Sequence, residues 1–337
     1  MTDPLVTIAI PTHNRVVQVR DSVVRALAQT YTNIEVLVSD NASTDDTVAV
    51  LKAIPDSRLR VLTSAENIGS NGNYNKCLRE ARGEFLVIVP DDDRITCTFI
   101  EKCVALIRRE PSIQSVIAAY DVLFVDENRK RPAKLSKRLS TGIWQGTDIL
   151  KEFLRGQLST ITLSAVARTQ LLRDIGGFSA DHVTADDLLV LAQILLAGRS
   201  ALLNEQCATL TIHSSSLSTR SGLDYGLRDL QRVMAKISEL ADNSITDEAE
   251  RRPVQAAAAR YVATKFYDFL VLYRRQGATL RDVAAQWRTW RAQAPENSTI
   301  DFASTLRLKT LALLVLPASM TKILLSVRHT FHGRGLA

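Results

Sequence analysis

FLVIVPDDDRI, Phe85 to Ile95, decides how this chain is read. Five apolar residues run into a proline and then into three consecutive aspartates. Taken alone, such an acidic run is a solvated turn, because Pro and Asp both favour turns. Its meaning depends on what lies on either side.

Upstream, apolar runs alternate with helical spacing. VTIAIP (Val6 to Pro11), IEVLVSD (Ile34 to Asp40) and LRVLTS (Leu59 to Ser64) read as buried strands, and FLVIVP as a fourth. Between them, Val16 to Gln29 places Val16, Val19, Val23, Ala26 and Leu27 on one helical side. Ser43 is expected to cap a helix over Thr47 to Ala53. Gly83 is expected to close a helix over Asn73 to Arg82. Strands alternating with helices imply an α/β fold with a mostly parallel sheet and flanking crossover helices. Ligands of such sheets bind at the carboxyl ends of the strands. Asn14, Asp40 and Asp91 to Asp93 all fall there, so the three polar clusters converge on one edge.

Downstream, SVIAAYDVLFVD (Ser115 to Asp126) alternates like a strand, and NRKRPAKLSKR (Asn128 to Arg138) is a basic loop. Glycine-rich DIGGFSA (Asp174 to Ala180) leads to TADDLLVLAQILLAG (Thr184 to Gly198), a helix opening on two carboxylates. ATLTIHSSSLS (Ala208 to Ser218) reads as a strand and a polar loop. From about Leu223 the pattern is helical to the end. A boundary near Ser221 divides an α/β region, 1–220, from a helical region, 221–337.

The 337 residues are 46% hydrophobic and 23% charged, an ordinary globular composition. A net charge of +6 suits an anionic ligand or membrane surface and is too small to argue for nucleic acid. Cys77, Cys97, Cys103 and Cys207 form no C-x-x-C pair, which gives neither a zinc site nor a disulfide framework. The opening MTDPLVTIAIP lacks a signal-peptide pattern, so a cytoplasmic location is expected. No uninterrupted apolar run reaches the length of a membrane span. The nearest, Leu311 to Leu325, is broken by Pro317 and Lys322.

Six segments carry a resemblance. VTIAIPTHNR, EVLVSDNASTDDT, ENIGSNGNYNKCLREARGEFLVIVPDDD, RTQLLRDIGGFS, ADDLLVLAQILLAGR and TIHSSSLS resemble glycosyltransferase family 2, whose members have the Rossmann-like GT-A fold. The likeness runs from about Val6 to Ser218, and the final third of the chain adds nothing to it. It implies an inverting transferase that moves a sugar from a nucleotide diphosphate-sugar to a hydroxyl. The expected acceptor is a glycan or a lipid-linked sugar of surface-polysaccharide type.

The same resemblance implies roles. Pro11, Thr12, Asn14 and Arg15 would line the nucleotide pocket. Asp40 would accept a hydrogen bond from the base, which favours a UDP or dTDP donor. Asn67, Gly69 and Asn75 match a donor-binding segment, with Tyr74 standing where an arginine is common. Asp92 would face the donor ribose or sugar, and Asp93 would hold a divalent cation, Mn2+ or Mg2+. Hard cations take carboxylate oxygens, and Asp91 and Asp93 form a D-x-D that provides them. His213 reads either as a contact to the diphosphate or metal or as a structural polar residue. Asp187 would be the base that deprotonates the acceptor, with Asp186 orienting it. Both also suit the positive end of a helix.

The tail from Phe302 to Ala337 carries Arg307, Lys309, Lys322, Arg328 and Arg334 and no acid. It reads either as an interfacial helix on anionic lipid or as a helix packed on protein. A peripheral place on the inner face of the membrane follows from the first reading. Two other functions compete. A nucleotidyltransferase needs a glycine-rich loop after the first strand, where this chain has PTHNR. A non-catalytic sugar-nucleotide binder has no need of both the D-x-D and the Asp186–Asp187 pair.

Overall fold

The computed structural model describes residues 3–179, 185–213 and 223–275, with isolated positions between 279 and 288. The basic tail from Phe302 to Ala337 lies outside the described residues, as does most of the polar loop after His213.

The first half alternates as its periodicity predicts. Strands β1 (Val6–Thr12), β2 (Ile34–Asp40), β3 (Leu59–Thr63) and β4 (Phe85–Ile88) are separated by helices α1 (Val16–Leu27), α2 (Thr47–Lys52) and α3 (Gly69–Glu80). Every residue of β1, β2 and β4 is buried. Strands covered on both faces read as continuous apolar runs, which explains their legibility. Helix α1 buries Val19, Val23 and Ala26 on the stripe that the spacing defines.

The chain continues through β5 (Arg94–Ile95), α4 (Phe99–Arg109), β6 (Ser115–Phe124), β7 (Arg129–Pro132), β8 (Gly142–Gln145), α5 (Gly146–Leu154), β9 (Ala165–Arg168), α6 (Thr169–Asp174), α7 (Asp186–Leu196) and β10 (Arg199–Ile212). The sheet order is β3-β2-β1-β4-β9-β6-β10-β5, with β7 beside β6 and β8 beside β10. Strands β1 to β4, β6 and β10 run in one direction, and β5, β7, β8 and β9 run against them. The carboxyl ends of β1, β2, β4, β6 and β10 therefore share one edge. The basic segment expected as a loop contains a strand, because β7 folds back on the far half of β6.

Three local expectations fail for physical reasons. The side chain of Ser43 does not cap α2; it accepts the N–H of Asn14 at 2.8 Å, while Asp45 takes the Thr47 N–H at 3.0 Å. Helix α3 begins at Gly69 rather than Asn73. Gly83 is not its C-terminal cap, since α3 ends at Glu80 and Ala81 is the cap. A Cβ at Gly83 would lie 2.5 Å from the Thr7 backbone nitrogen, so glycine is needed there for close packing on β1.

Helices α8 (Leu223–Ser244) and α9 (Glu248–Arg275) follow. They begin near the expected boundary but share their core with the sheet. Val233, Met234, Ile237, Val254, Ala258 and Phe266 join Ile149, Phe153, Leu191 and Leu195 in one buried cluster. All four cysteines are free. No helix among the described residues is long and apolar enough to cross a membrane.

Candidate active site

The aspartates of the opening stretch leave β4 and turn under the ends of β1 and β10. Asp91 and Asp93 are buried. Asp91 accepts from Thr12 Oγ1 at 2.7 Å and from Arg15 at 3.0 Å. The same Arg15 nitrogen donates to Asp92 at 2.6 Å, and His213 Nε2 lies 3.0 Å from that same Asp92 oxygen. Asp93 accepts the backbone N–H of Thr211 at 2.7 Å. One guanidinium and one imidazole thus face three carboxylates. Burial and the mutual repulsion of the carboxylates leave a charge deficit. Burial pushes the Asp91 carboxyl up to about 6, and burial with Asp92 beside it holds Asp93 well above the usual carboxylate range.

Among the described residues, no three His, Cys, Asp or Glu side chains are grouped to hold a metal by themselves. His213 meets Asp92 rather than Asp93, and both oxygens of Asp91 already accept hydrogen bonds. A cage built from Asp93, Asp91 and His213 alone is therefore not formed. The donor set does fit a small hard cation that takes one or two carboxylates and completes its shell with substrate phosphate and water. Asp93 is the carboxylate best suited, and a cation there offsets the charge deficit that raises Asp91 and Asp93.

Asp40, at the end of β2, is buried. Its Oδ2 accepts the Ser43 N–H at 3.1 Å, and its buried Oδ1 has no hydrogen-bond partner. An unsatisfied buried carboxylate oxygen is costly unless a ligand donates to it. Around it the loops are braced. Asn14, at φ 52, takes the Thr44 N–H on its side-chain oxygen at 2.8 Å. Pro11 is buried within β1 opposite Ser39. Asn67 accepts from the Gly69 N–H and from Asn41 Nδ2, both at 2.9 Å. His13, beside them, has a buried Nδ1 without a partner. Asn14 and Asn67 therefore shape the pocket by holding backbone.

Asn75 stands elsewhere than expected. Its amide donates to the Phe178 carbonyl at 2.7 Å and its oxygen accepts the Phe178 N–H at 2.8 Å. Gly177, at φ +68, leaves room for it, since a Cβ there would lie 2.3 Å from Asn75 Oδ1. One turn earlier, Asn71 donates to the Ser179 carbonyl at 2.5 Å and lies 3.5 Å from Asp186. On the same helix Asn73 bonds Ser39, the neighbour of Asp40, at 2.6 and 2.9 Å. Helix α3 thus ties the Asp40 loop to the segment that precedes α7.

Asp186 and Asp187 open α7. Asp186 is buried and Asp187 is half-buried, with burial raising the Asp187 carboxyl to about 6. Two tyrosines connect this end to the acid run. The Tyr74 phenol is raised by burial and by Asp93, Asp91, Asp92 and Asp187. Tyr120 on β6 is raised by burial and by Asp187 and Asp93. Tyr74 packs edge-on against Phe178, with ring centroids 5.1 Å apart. Neither tyrosine is singled out by sequence pattern. The replacement of a common arginine at position 74 was the one available signal.

A family model described as Glycosyl transferase family 2 matches residues 7–168. An Escherichia coli UDP-Glc:alpha-D-GlcNAc-diphosphoundecaprenol beta-1,3-glucosyltransferase is 30% identical over 123 residues, 36% of this chain and 48% of that protein. A Campylobacter jejuni GalNAc(5)-diNAcBac-PP-undecaprenol beta-1,3-glucosyltransferase is 34% identical over 95 residues, 27% of this chain and 31% of that protein. This chain spans about half or less of the length of these curated relatives. Among solved structures, Staphylococcus aureus TarS 1–349 in complex with UDP-GlcNAc superposes with a TM-score of 0.65 at 20% identity, covering 92% of this chain and 83% of that one. The Pyrobaculum calidifontis mannosyltransferase PcManGT, in complex with GDP-Man and Mn2+, gives 0.52 at 19% identity, covering 96% of this chain and 88% of that one. At these identities the likeness is one of fold.

Proposed function

We propose that this chain, whose residues 7–168 match the glycosyl transferase family 2 model and whose fold is that of the GT-A enzymes it superposes on, is an inverting glycosyltransferase. It moves one sugar from a nucleotide diphosphate-sugar to a hydroxyl of a lipid-linked glycan acceptor. The observation that carries this reading is the buried acid run at the shared strand ends, where Asp91 and Asp92 share Arg15 and Asp93 accepts the Thr211 N–H.

Each residue then has a task. Asp40 Oδ1 accepts the imide N–H of uracil or thymine, which favours a UDP or dTDP donor. Asp93 would hold the divalent cation, which would supply positive charge to offset the charge of the leaving diphosphate. Arg15 holds Asp91 and Asp92 in place. Asp187 takes the acceptor hydroxyl proton as the oxygen bonds to the anomeric carbon. The bond from that carbon to the diphosphate oxygen breaks with its electron pair, and configuration inverts. Asp186, buried beside Asn71, positions the base.

The relatives named for diphosphoundecaprenol acceptors support the lipid-linked class. Calorimetric titration of UDP, dTDP, GDP, ADP and CDP, with Mn2+ and then with EDTA, tests the donor site. Metal-dependent binding of a uridine or thymidine nucleotide is expected; no binding by folded protein would sink the reading. Asp187→Asn is expected to keep donor binding and lose transfer.

A further inference from the structure

Residues 125–138 carry six Lys or Arg against two acids, a net of +4 in a chain whose formal charge is +6. The function proposed above uses none of them. They are not a loose run. The segment is mounted on the sheet: β7 pairs with β6 from Asp121–Pro132 to Phe124–Arg129, and Arg129 stacks on Phe124 with its guanidinium 4.3 Å from the ring centre. Beyond β7, Ser136 is pinned by Asn204 on β10, at 2.9 and 2.8 Å, and by Glu152 at 3.0 Å. Leu139 is buried. Between these anchors Arg129, Lys130, Arg131, Lys134, Lys137 and Arg138 all face solvent.

Their charges are only partly spent within the protein. Arg129 pairs with Glu127, Lys130 with Asp121 and Arg138 with Glu152. Arg131 and Lys137 have no carboxylate partner among the described residues. The turn ahead of β7 presents Val125, 48% exposed and one of the few large exposed apolar side chains described. The place is specific as well. Strand β7 lies two strand spacings, about 10 Å, from β10, whose Thr211 N–H holds Asp93. The turn sits at the sheet edge where β6 and β10 end, the edge that carries the acid run.

We infer that the β6–β7 hairpin and the strap to Arg138 form a docking surface for an anionic phospholipid bilayer, which brings the acceptor side of the active site to the membrane. Cations that the protein's own acids only partly neutralise, beside an exposed valine at the turn, fit phosphate headgroups over an apolar layer. This deepens the lipid-linked acceptor reading and rests on it for its purpose, but membrane binding is measured without catalysis.

The test is co-sedimentation of the full chain with vesicles of phosphatidylglycerol and phosphatidylcholine, and with phosphatidylcholine alone. Binding to the anionic vesicles only, weakening with added salt, is expected. R131Q/K137Q should weaken it about 25-fold, at about fivefold per cation near the surface. R131E/K137E should abolish it. R20Q/R79Q, which removes the same charge from two exposed sites elsewhere, should leave it intact. Sugar transfer to a short water-soluble acceptor should be unchanged in all of these variants, which separates failure of the docking surface from failure of the transferase reading. Equal binding by wild type and R131E/K137E would overturn the proposal, because another surface then carries the contact. Equal loss in R20Q/R79Q, equal binding to neutral vesicles, or no binding at all would overturn it too.

Discussion

Asp229, buried on α8, accepts the backbone N–H of Ala185 at 3.1 Å. Ala185 directly precedes Asp186 and Asp187, so the helical region reaches the candidate base. A buried carboxylate that accepts a backbone N–H at the start of a helix fixes where that helix begins. Asp229→Ala is expected to lower the transfer rate by about 10- to 100-fold through misplacement of Asp187, with donor affinity unchanged. Steady-state kinetics beside calorimetry of donor binding checks this; equal loss in both would mean that the bond serves folding alone.

The pH profile has a defined sign. Burial raises Asp187 to about 6, and only its ionised form accepts a proton. The rate at saturating donor should therefore rise through about pH 6 to a plateau above it. Asp91 is raised to a similar range, and its ionisation should show in donor affinity of the free enzyme rather than in the saturated rate. A saturated rate that stays flat from pH 5 to 8 would remove Asp187 as the base.

Asp91→Asn should trade function for stability. The folded-state pKa of Asp91 is raised above the ordinary carboxylate value, so the folded protein holds the proton more tightly than the unfolded chain does. Stability from this group is present at low pH and is lost as pH rises from about 4 to about 6. At pH 8 the ionised group costs at most about 3 kcal/mol, from two pK units. An amide removes that cost but can accept only one of the bonds from Thr12 and Arg15. The variant, free of donor and metal, should melt a few degrees higher at pH 8 and no higher at pH 4, while losing donor binding. Thermal melts at both pH values decide it.

Gly177→Ala should destabilise the fold by about 1–3 kcal/mol. The backbone there lies at φ +68, and the added carbon would meet Asn75 Oδ1. Urea unfolding measures the loss. Asn75→Ala, which breaks the same clamp on Phe178 without strain, should lower the transfer rate more than it lowers stability.

Much of this molecule was legible in its order of residues. The buried strands Val6–Thr12, Ile34–Asp40 and Phe85–Ile88 announce themselves because a covered parallel strand must be apolar throughout. The acid run at their common edge follows from that pattern and from the rule that ligands bind there. Ser43 and Gly83 were misread because each has a local role and a distant one, and the distant one won. Ser43 bonds Asn14, and Gly83 admits the Thr7 backbone.

Sequence alone determined the α/β core, the family resemblance, and the residue types gathered at the strand ends. Tertiary structure decided their partners. Asn75 clamps Phe178, Thr211 holds Asp93 and Asp229 holds Ala185. The basic run from Asn128 to Arg138 became a mounted hairpin only because β7 found the free half of β6. The physical reason is common to all four. Hydrophobic periodicity repeats within a few residues and is written locally, whereas a polar side chain has many possible partners, and long-range packing selects among them.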